Sequence, residues 1–154
     1  MKNELMFSSA SDEWETPQYI YDLLNAEFNF EVDLAATEEN TKCESFYSKE
    51  SNSLEQDWGG TFDRGWINPP YSRNQCAKFI DKAARQRRRG FMTVMLLPSR
   101  TDTKAFHAHV YDVSKWKPRD GVEIRFIAGR LKFSNSKNSA PFPSMIVIFR
   151  PEIG

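Results

Sequence analysis

Residues 65–72 read Gly65-Trp66-Ile67-Asn68-Pro69-Pro70-Tyr71-Ser72. A short apolar run is cut off by an amide and two prolines, and an aromatic ring and a hydroxyl follow at once. Proline cannot donate to a sheet ladder, so Ile67 is the last strand residue and Asn68 to Tyr71 form a stiff turn. Each proline also keeps the residue before it out of the helical region. An Asn-Pro pair alone is an ordinary turn. The four residues together, at a strand's end, hold an amide oxygen, a backbone carbonyl and an aromatic face in one array.

Downstream, Phe79, Ile80, Ala83 and Ala84 recur at helical spacing and predict a helix over 74–88, with Arg85 to Arg89 near its end, where cations suit the dipole. Phe91 to Leu97 is apolar on both parities, as in a central strand covered on both faces, and Pro98 stops it. Residues 66–97 thus form a strand–helix–strand unit with a right-handed crossover. Upstream, Asp57-Trp58-Gly59-Gly60 marks a tight turn before a strand over 62–67. Phe28 to Asp33 alternates with period two, which reads as a strand with Asp33 at its carboxyl end, where parallel sheets bind ligands. Phe46-Tyr47 reads as a brief second strand. Thr16 is placed to cap a helix over 17–27, with Pro17 at its first position.

Beyond the central strand, 100–113 reads as a helix or irregular connection carrying His107 and His109. A strand follows over 122–127, then a Gly129-Arg130 turn, a return strand Leu131-Lys132-Phe133, a soft loop and a last strand over 145–149. The whole is an α/β fold: a mixed, mostly parallel sheet flanked by helices, with an antiparallel C-terminal edge. Residues 1–11 read as a flexible arm and 12–154 as one domain, without room for a separate target-recognition domain.

Charge is balanced, with 21 basic and 21 acidic side chains, so bulk attraction to nucleic acid is excluded while a polarised surface is not. No run is long enough for a membrane span. Cys43 and Cys76 form no disulfide framework, which fits a reduced compartment. The two histidines lack matched metal ligands, and no metal site is expected.

The array at Asn68 suits one chemistry. A ring amine is a poor nucleophile because its lone pair is delocalised. If the Asn68 side-chain oxygen and the Pro69 carbonyl each accept one N–H, the nitrogen moves toward tetrahedral geometry and the lone pair is freed. Both bonds strengthen as positive charge develops there. Tyr71 supplies a face for the base, and in a duplex the nucleotide must first be rotated out of the stack.

In these motifs the chain resembles the phage and prophage DNA adenine-N6 methyltransferases, part of the wider group of amino-methyltransferases with an Asp/Asn-Pro-Pro-Tyr motif. The matching blocks are D-E-W-E-T-P at 12–17, D-L-A-A-T-E-E-N at 33–40, D-W at 57–58, N-P-P-Y-S at 68–72, L-L-P-S-R-T-D-T at 96–103, G-R-L-K-F at 129–133 and A-P-F-P-S at 140–144. The resemblance implies a Rossmann-like class I fold that takes its methyl group from S-adenosyl-L-methionine. It implies catalytic roles for Asn68, Pro69, Pro70 and Tyr71, and cofactor contacts from Trp14, Thr16, Pro17, Asp33, Ala35 and Asp57. Ser72, Arg100, Arg130 and Lys132 are the candidates for DNA contact, within reading loops near 100–104, 115–121 and 130–137. Double-stranded DNA is the implied partner, a homodimer a way to enlarge the footprint, and the cytoplasm of a bacterial host the implied place of work. One departure stands out: no glycine precedes Gly59, where the wider class has a Gly-rich loop after its first strand. The same array fits a cytosine-N4 methyltransferase, or an RNA or protein amide methyltransferase. A catalytically silent DNA-binding protein of this fold is the alternative from another class.

Overall fold

The computed structural model describes residues 13–152, and the arm expected over 1–11 lies outside them. The described elements are α1 (Gln18–Phe28), β1 (Val32–Asp33), β2 (Ser45–Phe46), β3 (Arg64–Ile67), α2 (Arg73–Gln86), β4 (Met92–Pro98), α3 (Lys104–His109), β5 (Tyr111–Asp112), β6 (Lys117–Pro118), β7 (Val122–Phe126) and β8 (Ser144–Phe149). Single 3-10 turns cover Ser53–Glu55 and Arg87–Arg89.

Six strands form one sheet in the order β2-β1-β3-β4-β8-β7. The first four are mutually parallel, and β8 runs antiparallel between β4 and β7. Every residue of β4 and of β8 is buried, which is why both read as unbroken apolar runs. Each large side chain so buried stabilises the fold by roughly 1.5–3 kcal/mol, and this pair of strands is its centre. The α/β architecture with an antiparallel edge matches the sequence reading.

Several local expectations are corrected. Phe28 is the last helical residue, and Asn29 ends α1 in the left-handed region (φ 55°), so the strand expected over 28–33 shrinks to Val32–Asp33. Phe28 and Phe30 turn instead into the core, where Phe30 packs on Tyr21 and Trp66. Pro17 sits at the N-cap with ψ 133° rather than inside the helix, and Thr16 makes no capping bond. Leu131 to Phe133 is no strand, and β7 is left as the edge of the sheet. The segment crosses the carboxyl end of the sheet instead, with Leu131 and Phe133 buried and the Leu131 carbonyl accepting from the Ala140 N–H at 2.7 Å. The β5–β6 hairpin was not anticipated.

The chain order sets the position of a site. From β1 it moves outward to β2, then returns past β1 to β3, so the connections leaving β1 and β3 diverge at their carboxyl ends. A crevice opens at such a switch in an α/β sheet.

Candidate active site

Asp33 pairs with Trp66 across β1 and β3, so Asn68 stands two residues beyond Asp33's partner, at the same end of the sheet. Between them lies a cleft of about 450 Å³, lined among others by Trp14, Thr16, Asp33, Ala35, Asn68 and Pro69. That volume suits one small organic ligand.

The Asn68 side chain is oriented by its own neighbours. Its Nδ2 donates to the Trp14 carbonyl and to Thr16 Oγ1, the latter at 2.9 Å. A carbonyl only accepts, so the amide nitrogen must face it, and this fixes which way the amide points. Oδ1 is left buried without a hydrogen-bond partner among the described residues. An orphaned buried acceptor costs on the order of 1–3 kcal/mol. Its chemical complement is an N–H donor.

Asp33 is only 3% exposed. Its carboxylate accepts the Lys42 N–H at 3.0 Å and the Ala35 N–H at 3.3 Å. Burial nevertheless outweighs those bonds and pushes its pKa up to about 7. The group is a buried acid short of a cation, and a cationic ammonium is the ligand that would return it to the charged form.

The segment before α1 is strapped over this site from far along the chain. Asn135 Oδ1 accepts the Glu15 N–H and Asn135 Nδ2 donates to the Glu13 carbonyl, each at 3.0 Å. Ser134 N–H donates to the Glu15 carbonyl at 2.9 Å, and Ser134 Oγ to the Thr16 carbonyl at 3.2 Å. Neither Ser134 nor Asn135 was singled out in the sequence, because a polar loop carries no local sign of a partner some 120 residues away.

The remaining expected residues divide. Trp14, Thr16, Ala35 and Pro70 line the cleft with Asn68 and Pro69. Pro17 is buried beside them but does not line it. Tyr71 is not an open plate: it is 1% exposed, its hydroxyl donates to the Leu96 carbonyl at 3.2 Å, and Phe133 and Phe142 meet its ring edgewise. Trp14 closes the same cluster against Phe133 and Phe142. Asp57, expected at the cofactor, is not among the residues that line the cleft. Its carboxylate forms an ion pair with Arg89 at 2.7 Å, whose guanidinium holds its carboxyl below the usual range. Ser53 and Leu54, just before it, line the cleft instead. Ser72 is exposed at the N-cap of α2, Arg100 donates to the Tyr71 carbonyl at 2.5 Å, and Arg130 and Lys132 are exposed on the loop leading to the strap. No group of acids, histidines and cysteines suited to a metal occurs among the described residues, and no described helix is long and apolar enough to cross a membrane.

Comparison with known proteins adds a family. The model of the DNA N-6-adenine-methyltransferases (Dam) matches residues 5–154. A protein of Haemophilus phage HP1 named DNA N-6-adenine-methyltransferase is 33% identical over 146 residues, covering 94% of this chain and 82% of that protein. One of the same name from Escherichia phage T1 is 40% identical over 96 residues, covering 62% of this chain and only 39% of that protein.

Proposed function

The chain belongs to the DNA N-6-adenine-methyltransferase family, and we propose that it transfers a methyl group from S-adenosyl-L-methionine to N6 of adenine in duplex DNA. The observation that carries this reading is the buried, unpaired Oδ1 of Asn68, a residue that lines the same cleft as Asp33.

Asn68 Oδ1 and the Pro69 carbonyl are assigned the two N–H bonds of the adenine amine. The amide is neutral throughout and removes no proton before attack. Its task is to accept more strongly as the nitrogen becomes positive, which lowers the barrier without tightening the ground state. Thr16 and the Trp14 carbonyl occupy Nδ2, so Oδ1 is not lost by rotation of the amide. The residues present also suit the cofactor. Asp33 fits its ammonium group, and Trp14, Thr16 and Ala35 form the wall around its methionine part, with the buried Pro17 packed behind Thr16. Alanine rather than glycine at position 35 leaves a half-buried wall and still an open cleft. When bound, the sulfonium group supplies an electrophilic methyl carbon.

Tyr71 is assigned the face of the rotated adenine, which requires the cluster of Trp14, Phe133 and Phe142 to open. Pro70 stiffens the turn. Ser72, Arg100, Arg130 and Lys132 are assigned contacts to DNA. The proposed setting is the cytoplasm of a bacterial host, with a homodimer doubling the footprint of a single domain over 12–154.

The test is methyl transfer by the purified chain to duplex DNA, followed by nucleoside mass spectrometry. N6-methyladenine is expected. N4-methylcytosine alone, or no methylated nucleoside, would sink the proposal.

A further inference from the structure

A second cleft, of about 360 Å³, opens along the other flank of α2. Gln75 and Phe79 of that helix face the first cleft, whereas Arg73, Cys76 and Ile80 face the second. The Asn-Pro-Pro-Tyr turn is tied to this second cleft by its backbone. The Cys76 thiol donates to the Pro70 carbonyl at 3.4 Å, and Arg100 to the Tyr71 carbonyl.

The cleft has a cationic rim and an apolar floor. Arg73, Arg100 and Lys104 line it above Ile80, Phe106 and Met145. No carboxylate lies within ion-pair distance of these three cations among the described residues, although Asp102 stands on the same rim. Arginines elsewhere are engaged differently: Arg85, on the same helix as Arg73, holds Asp81 at 2.6 Å, and Arg89, Arg125 and Arg150 each hold an acid. Cations already neutralised at a distance explain how a chain of zero net charge keeps a positive cleft beside its catalytic turn.

We propose that this cleft seats the sugar–phosphate backbone of the target strand next to the rotated adenine. Arg73, Arg100 and Lys104 meet phosphate oxygens, and the apolar floor lies under the deoxyribose. Rotating one nucleotide out of a duplex requires its neighbouring phosphates to be held. Arg100 links that hold to the turn carrying Asn68. Arg73 and Lys104 are thereby given a role beyond the four DNA contacts assigned above. The inference rests on the functional reading, since it supposes DNA as substrate.

The experiment is fluorescence anisotropy of a labelled 20-base-pair duplex across a salt series, with the full chain and S-adenosylhomocysteine. Each of Arg73→Ala and Lys104→Ala is expected to weaken binding roughly three- to tenfold, to about the same degree on any sequence, and to lower the log–log salt slope by about 0.9. Asp102→Asn is expected to strengthen binding. Cofactor affinity, measured by calorimetry, stays unchanged in all three, which also shows that they fold. If the parent chain binds duplex with a steep salt slope and both alanine variants keep that slope, the cleft assignment is overturned and the methyltransferase reading stands. A parent chain that neither binds nor methylates duplex overturns both.

Discussion

The two halves of the site differ in readiness. On the side proposed for the cofactor the cleft is open, Asp33 is held by two backbone N–H groups, and the walls stand in place. On the side proposed for the base, Tyr71 is sealed by Phe133 and Phe142, themselves packed by Trp14, and the proposed amine acceptor, Asn68 Oδ1, is shut away from water. The difference teaches an order of events. A small ligand can enter a preformed cleft, whereas a base must lift the strap at 13–16 or part the rings beneath it. An acceptor kept dry until then loses nothing to solvent hydrogen bonds, and its strength is reserved for the transition state.

The largest expected effect comes from removing that acceptor. Asn68→Ala should lower turnover by roughly 100- to 1,000-fold while cofactor affinity changes little, since Asp33 and the cleft walls remain. Radiolabelled methyl transfer and calorimetry read the two separately. If affinity fell as far as turnover, the two halves would not be independent and the comparison would break.

Next is Asp33→Asn, which should weaken cofactor binding roughly 30- to 100-fold by leaving a buried ammonium without its counter-charge. The pH dependence sharpens the point. With its pKa near 7, Asp33 is protonated in the empty protein below that value, so affinity should fall as pH drops below about 7 and become flat in the variant. Stability runs the other way. The folded state holds this proton more tightly than the unfolded chain, so the group's stabilising contribution is present below the ordinary carboxylate range and is lost as pH rises through about 7. The empty Asn variant should therefore melt higher than the parent at pH 8 in a thermal scan. An equal or lower midpoint would show that Asp33 is comfortably charged without a ligand.

This division also tracks what the sequence discloses. Asn68 and Asp33 were legible because both follow from local rules: prolines end a strand, and an acid closes a short one. One such strand end, Asp33, anchors the proposed cofactor half, and the other, Asn68, reaches into the base half. The base half is built of long-range contacts. Nothing near Tyr71 announces Phe133 and Phe142 across its ring, and nothing near Asn135 announces Glu13. Leu131 to Phe133 shows the same limit: its alternation suits a strand, but Phe133 packs on Trp14, Tyr71 and Phe142 across the end of the sheet.

Thr16 joins the halves, lining the cleft while holding the Asn68 amide. Thr16→Val keeps the shape and removes the acceptor, so Nδ2 keeps only the Trp14 carbonyl and the amide loses part of its lock. Turnover should fall about tenfold, consistent with the loss of one buried hydrogen bond, and Thr16→Ser should restore most of it. A valine variant as active as the parent would mean that the Trp14 carbonyl alone orients the amide.

The smallest effect is expected at Asp57. The family resemblance implies a cofactor role for Asp57, yet its carboxylate is paired with Arg89 beside the fully buried Trp58. That pair is half-exposed on both sides, so solvent screens it and its removal should shift the melting point only slightly. Asp57→Asn should leave cofactor affinity within about twofold of the parent, because Ser53 and Leu54 form that part of the wall. A tenfold loss in calorimetry would mean that the loop turns over when the cleft fills. In that case the cofactor half would be no more preformed than the base half.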